Sequence, residues 1–136
     1  LVSADKPIAV LNYMTGYGNL PLADQTGDPA VVQLSPVEQF LPTYVIVVPD
    51  KWDLDQLVIT RKTGQPVTLD GVELADPAFI AVGPDHEVGR FVVADGVHQL
   101  ESPVGFSVVV VGYDYADSYA YLGGSGTGLI NPRPQG

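Results

Sequence analysis

The stretch that decides the fold is Arg90-Phe91-Val92-Val93-Ala94-Asp95-Gly96-Val97-His98-Gln99-Leu100-Glu101. Asp-Gly between two apolar, β-branched runs is the strongest short-range hairpin signal, because a type I′ turn needs positive φ at both central residues. The same signal occurs at Asp70-Gly71, between Val67–Leu69 and Val72–Leu74. Working outward, further runs rich in Val, Ile, Tyr and Phe predict strands at Ile8–Met14, Ala30–Leu34, Tyr44–Val48, Leu57–Arg61, Phe79–Val82 and Arg90–Val93. Others are expected at Val97–Glu101, Phe106–Tyr113 and Ser118–Leu122. Twelve prolines and fifteen glycines punctuate these runs and leave no room for a helix of ordinary length. The pattern predicts an all-β fold, an antiparallel β-sandwich of jelly-roll or immunoglobulin-like type. One helical turn is expected at most, over Ser35–Leu41, with Ser35 as cap, Pro36 in first position and Glu38 closing a capping box.

With 136 residues, 46% of them hydrophobic, the chain can build one domain with a real core. Past Leu122 the run Gly123-Gly124-Ser125-Gly126-Thr127-Gly128, then Asn131-Pro132-Arg133-Pro134, reads as a flexible tail. The expected organisation is therefore a sandwich over residues 1–122 and a Gly/Pro-rich tail over 123–136. Ser3–Met14 and Ser102–Tyr113 share a plan of polar turn, proline, strand and Gly/Tyr segment. That is expected if residues 1–16 are the closing strand of a preceding repeat unit; convergence of two proline-initiated strands explains it equally well.

Sixteen acidic residues against six basic ones give a net charge of −10. Such a surface repels nucleic-acid phosphates and anionic lipid, and no apolar run approaches the roughly 20 residues that span a bilayer. Neither nucleic-acid binding nor membrane insertion is expected on these grounds. No cysteine is present, so there is neither thiol chemistry nor a disulfide framework.

The inventory for catalysis is thin. His86 falls in the turn Gly83-Pro84-Asp85-His86-Glu87, and His98 lies in a strand, where satisfying backbone groups is its expected role. Two histidines cannot make a three-histidine zinc site. Gly16-Tyr17-Gly18 and Gly126-Thr127-Gly128 both lack the following glycine and helix of a nucleotide loop. No catalytic residue is assigned. Asp50, Asp53 and Asp55 crowd one turn, and Asp114 and Asp117 another. Closely spaced carboxylates in loops are what calcium uses, so Asp50, Asp53 and Asp55 are the candidate metal ligands, set against a plain solvated turn; no other cofactor is expected. Tyr113, Tyr115, Tyr119 and Tyr121 recur with period two, which on one strand would share a face. Amphipathic aromatics suit recognition surfaces, and Tyr17, Trp52, Tyr115 and Tyr119 are the candidate ligand-binding residues.

In order along the chain stand Asp5-Lys6-Pro7-Ile8-Ala9-Val10, Gly27-Asp28-Pro29 and Leu34-Ser35-Pro36-Val37-Glu38-Gln39-Phe40. Thr68-Leu69-Asp70-Gly71, Asp95-Gly96-Val97-His98, Gly105-Phe106, Val110-Val111-Gly112-Tyr113 and Ser118-Tyr119-Ala120-Tyr121-Leu122-Gly123-Gly124 come after them. In content, order and spacing these resemble the IgGFc-binding domain family, named from the N-terminal region of a mucin-associated secreted protein and found also in large bacterial surface proteins. The resemblance implies a β-sandwich at an extracellular location or cell surface, with a binding or adhesive role and no catalytic residues. The expected partner is a protein or glycan on another cell or matrix surface. Recognition is expected at the connections Met14–Gly27 and Pro49–Asp55, because loops on a rigid scaffold carry function. The alternatives are a structural spacer and a self-assembling, homo-oligomeric fibre-tip domain, trimeric for instance; an enzyme is the least supported.

Overall fold

The computed structural model describes residues 2–19 and 25–129. Among them the apolar runs form β1 (Leu11–Tyr13), β2 (Val31–Gln33), β3 (Leu41–Val48), β4 (Leu54–Lys62) and β5 (Thr68–Leu69). After these come β6 (Val72–Glu73), β7 (Phe79–Ala81), β8 (His86–Val92), β9 (Gly96–Asp114) and β10 (Asp117–Leu122). All pairings are antiparallel, and eight strands belong to one curled sheet.

Strand β9 makes the curl. Its first part, through Glu101, lies between β3 and β5; from Ser107 on it lies between β4 and β10. The chain bends across residues 102–105, where the register against β3 shifts between Leu41 and Thr43. One half of the sheet thus runs β6-β5-β9-β3 and the other β10-β9-β4-β8-β7, and they close face to face in a sandwich. Gly105 sits at the bend because a Cβ there would stand 2.8 Å from the Phe40 carbonyl oxygen. The two runs expected at Val97–Glu101 and Phe106–Tyr113 are therefore one strand bent through both halves.

Alternation along the strands builds the core. Tyr44, Ile46, Val48 and Leu100 point inward from the first half and meet Leu57, Ile59, Phe106, Val108 and Val110 from the second. On the opposite face of β9, Val109 and Val111 are also buried, under Val32 of the β1–β2 ribbon with Met14 and Leu122. Burial on both faces is why residues 106–111 read as an almost unbroken apolar run. Arg61 ends the inward row of β4 and is 1% exposed, its guanidinium 3.5 Å over the Phe79 ring and paired with Glu87 and Asp76.

Several local expectations need correction. Asp70-Gly71 makes the hairpin β5–β6 with φ of 51° and 80°, as a type I′ turn demands. At Asp95-Gly96 only Gly96 has positive φ, and β8 does not pair with β9 there. The edge of β8 that faces β9 is occupied by β4 from Gln56 to Lys62, so the chain crosses to the other half instead of turning back. Local turn chemistry permits a tight bend; competition for strand edges decides where the chain goes after it. His86 opens β8 and packs edge-on against Phe40, so it is a half-buried strand residue and not part of the turn before it. Among the described residues three single 3-10 turns occur, at Tyr17–Asn19, Val37–Gln39 and Asp76–Ala78, where one at most was expected. The middle one has no side-chain cap; the Ser35 hydroxyl instead meets that of Ser125.

The N-terminal strand does not repeat the role of its sequence counterpart. Among the described residues β1 pairs with β2 alone, whereas residues 106–113 are central in the sheet. Residues 123–128 form no regular element, yet Gly123 donates to Val108, Gly126 donates to Gln39, and the Gln39 side-chain amide donates to Gly128. This part of the expected flexible tail is tied to β9 and to the 3-10 turn before β3; residues 130–136 lie outside the described residues.

Gly105→Ala should cost about 1–3 kcal/mol, since the added methyl meets backbone that cannot yield as a side-chain tip would. Urea denaturation of the variant beside the parent chain measures it; equal midpoints would show that the bend is not tightly packed.

Candidate functional site

Four connections meet at one end of the sandwich. Pairing fixes them there: Val48 faces Gly96, Gln56 faces Val92, Leu54 faces Tyr113, and Asp114 faces Asp117. The β3–β4 loop (residues 49–53), the β8–β9 crossover (93–95) and the β9–β10 turn (115–116) therefore share this end. The segment 25–28 joins them, as Gly27 donates to the Asp114 carbonyl, Ala116 to that of Gln25, and Asp28 to the Ser118 hydroxyl. A shallow depression of about 500 Å³ opens here, lined by Trp52, Asp53 and Asp55 on one side and Val92, Ala94 and Asp95 on the other.

Beneath it lies an aromatic stack. Trp52 packs edge-on against Tyr119 with centroids 4.6 Å apart, and Tyr119 stacks on Tyr121 at 6.1 Å. The Tyr119 hydroxyl donates to the Asp55 carboxylate at 2.5 Å. Tyr121 donates to the Val47 carbonyl at 2.7 Å and accepts from the Val47 N–H, tying β10 to the free edge of β3 across the sandwich. Gly112 makes room for this stack, since a Cβ there would collide with the Tyr119 ring.

The structure separates the candidate ligand-binding residues into two kinds. Tyr115 is 70% exposed at the tip of the β9–β10 hairpin. Its backbone is set by the Asp114 carboxylate, which accepts the Tyr115 N–H, and by Ala116 with φ of 47°. Trp52 is half-buried and borders the depression. Tyr119 instead faces the core, partly buried, and its hydroxyl is spent on Asp55. Tyr17 lies half-buried in the turn Tyr17–Asn19, next to Gly16, where a Cβ would meet Pro29 at 3.0 Å; residues 20–24 of the same connection lie outside the described residues. The four C-terminal tyrosines do not share a face: Tyr113 packs on the β1–β2 side, Tyr115 projects from the tip, and Tyr119 and Tyr121 line the core side. Period two holds along each strand, but the turn at 115–116 changes strand between the pairs.

The three candidate metal ligands are not brought together as a set. Asp50 and Asp53 are exposed in the loop, whereas Asp55, 3% exposed, is the first inward residue of β4 and holds Tyr119. Among the described residues no group of three or more His, Cys, Asp or Glu side chains converges as a metal site. What the sequence reading missed was Asp95 and Ala94 as the far wall of the depression. The hairpin reading of Asp95-Gly96 hid them, and nothing in the local pattern distinguishes a crossover from a hairpin.

A family model described as IgGFc binding protein matches residues 1–112. The chain belongs to the IgGFc-binding family. Membership identifies it as a protein-binding module of a family of extracellular proteins, and no helix among the described residues is long and apolar enough to cross a membrane. No curated protein and no solved structure matches the chain. The family match ends at Gly112, so strand β10, which brings Tyr119 and Tyr121 into the core of this family member, lies beyond it.

Burial raises the Tyr119 hydroxyl well above its ordinary value, and the neighbouring Asp55 carboxylate adds to the effect. Burial likewise raises Tyr44 and Tyr121, against an opposing effect of backbone hydrogen bonds. Each group with a raised folded value adds stability that is complete below the unfolded value near 10 and is lost as pH climbs toward the folded value. In an ultraviolet titration, Tyr44, Tyr119 and Tyr121 of the seven tyrosines should ionise only as the chain unfolds above about pH 10. Seven freely titrating phenols in a folded chain would contradict the stack.

Proposed function

We propose that this chain is a non-catalytic adhesion or ligand-recognition module of a surface or secreted protein, and that it meets its partner with the loop end of the sandwich. The observation that carries this reading is the gathering of four connections around exposed Tyr115, the rim of Trp52, and the exposed aspartates 50, 53, 95 and 117. A rigid sheet with loops at its end is the arrangement in which binding residues are most often displayed. Tyrosine at a protruding tip offers a large contact area and a polar hydroxyl at low entropic cost. The partner class is a protein or glycan on another cell or matrix surface.

A second reading is supported by a different feature. Val45, Val47 and Val97 stand 66%, 58% and 68% exposed on the outer face of β3 and β9, and among the described residues β3 has strand pairing on one edge alone. An uncharged valine face beside a strand edge that no other strand covers, and that Tyr121 caps only at Val47, suits a self-assembling module.

Immobilised chain should be screened against immunoglobulin Fc, a glycan array and matrix proteins, with Tyr115→Ala as the paired variant. Binding that weakens more than about tenfold in the variant, at unchanged melting temperature, is the expected result. Binding indifferent to Tyr115 would move recognition away from this end. A stable oligomer in light scattering, dispersed by Val47→Lys, would favour the assembly reading.

A further inference from the structure

The β8–β9 crossover, which forms one wall of the loop-end depression, is fastened by a single histidine between two acceptors. The His98 side chain is 12% exposed. Its Nδ1 lies 2.6 Å from Asp70 Oδ2, in the β5–β6 turn, and its Nε2 lies 2.8 Å from the Ala94 carbonyl, in the crossover. Asp70 is itself anchored: its other carboxylate oxygen accepts the Gln99 N–H at 2.9 Å, and its own N–H donates to the Gln99 carbonyl. A carboxylate and a carbonyl can only accept. Both short contacts are therefore hydrogen bonds only when both ring nitrogens carry protons, that is, when the ring is an imidazolium. A neutral ring donates from one nitrogen and turns a lone pair toward the other acceptor.

We propose that His98 is a proton-operated latch, which when protonated pins the crossover at Ala94 to the Asp70 turn and when neutral releases it. The charge that acts on His98 is that of Asp70. Across the strand pair β3 presents Ile46, which carries no charge, and on β9 itself Glu101 is occupied with the Gln99 amide. Asp95 of the crossover is exposed, and its charge reaches Tyr119. Burial opposes the charged ring, but the Asp70 hydrogen bond, the Ala94 carbonyl and the Asp70 charge outweigh it and raise His98 above the ordinary 6.5. Asp70 is lowered correspondingly, first by the Gln99 N–H and then by His98. The latch is thus closed below about pH 6.5 and opens as pH rises through the higher folded value. Because Ala94 and Asp95 line the depression, release would loosen one wall of the recognition end; this regulatory consequence rests on the function proposed above.

The test is an NMR titration of His98 in the full chain, with amide-exchange protection factors at Ala94, Asp95 and Gly96 measured at about pH 5.5 and about pH 8.5. The expected result is a His98 midpoint above 6.5 and a severalfold loss of protection at the higher pH. Asp70→Asn should bring the midpoint down, and His98→Gln should make protection indifferent to pH, whereas His86→Gln should leave both unchanged. A midpoint at or below 6.5, or equal protection at the two pH values, overturns the latch. If the latch titrates as expected while affinity for a captured partner stays flat across the same range, the coupling to recognition is overturned and the latch itself stands.

Discussion

The double-sided burial of β9 is the constraint on which the rest of the molecule depends. Phe106, Val108 and Val110 fill the sandwich, while Val109 and Val111 carry the β1–β2 ribbon on the other face. A strand buried on both faces must sit in the middle of a sheet, so β4 and β10 take its two edges along the second half. Its first half needs other partners, and β3 and β5 supply them. The bend at residues 102–105 is then the hinge about which the sheet closes on itself, and Gly105 is the residue that lets Phe40 approach it.

Closing the sheet this way also explains how polar groups are tolerated inside. Asp55 and Arg61 occupy inward positions of β4 that alternation would assign to apolar side chains. Each lies near an end of the strand and each is compensated: Asp55 by the Tyr119 hydroxyl, Arg61 by Glu87, Asp76 and the Phe79 ring. An uncompensated buried charge would cost several kcal/mol. The aromatic stack that serves Asp55 also holds up Trp52 and joins β10 to β3, so the rim of the loop end and the core beneath it are one piece of structure.

Strand positions were largely legible in the residues, because period-two burial and β-branched runs are local properties. Boundaries moved by a few residues, as with β4, which starts at Leu54 and not at Leu57. The hairpin at Asp70-Gly71 was legible for the same local reason. Of the candidate site, the crowding of aromatic and acidic residues near these turns was legible; the exposed tip position of Tyr115, the rim position of Trp52 and the inward turn of Tyr119 and Asp55 were not. Spacing places a side chain on one face of a strand, but which face meets a second layer depends on a distant segment.

The sequence by itself determined an acidic, cysteine-free, all-β chain whose short strands and Gly/Pro turns exclude a helical core, and it carried the family likeness. Tertiary structure alone decided that Asp95-Gly96 is a crossover and not a hairpin, that β9 serves both halves, and that His98 lies between Asp70 and Ala94. The physical reason is competition for strand edges. Each edge of β8 and β9 can be paired once, and the winners, β4 above all, lie dozens of residues away. No window of local sequence contains that contest.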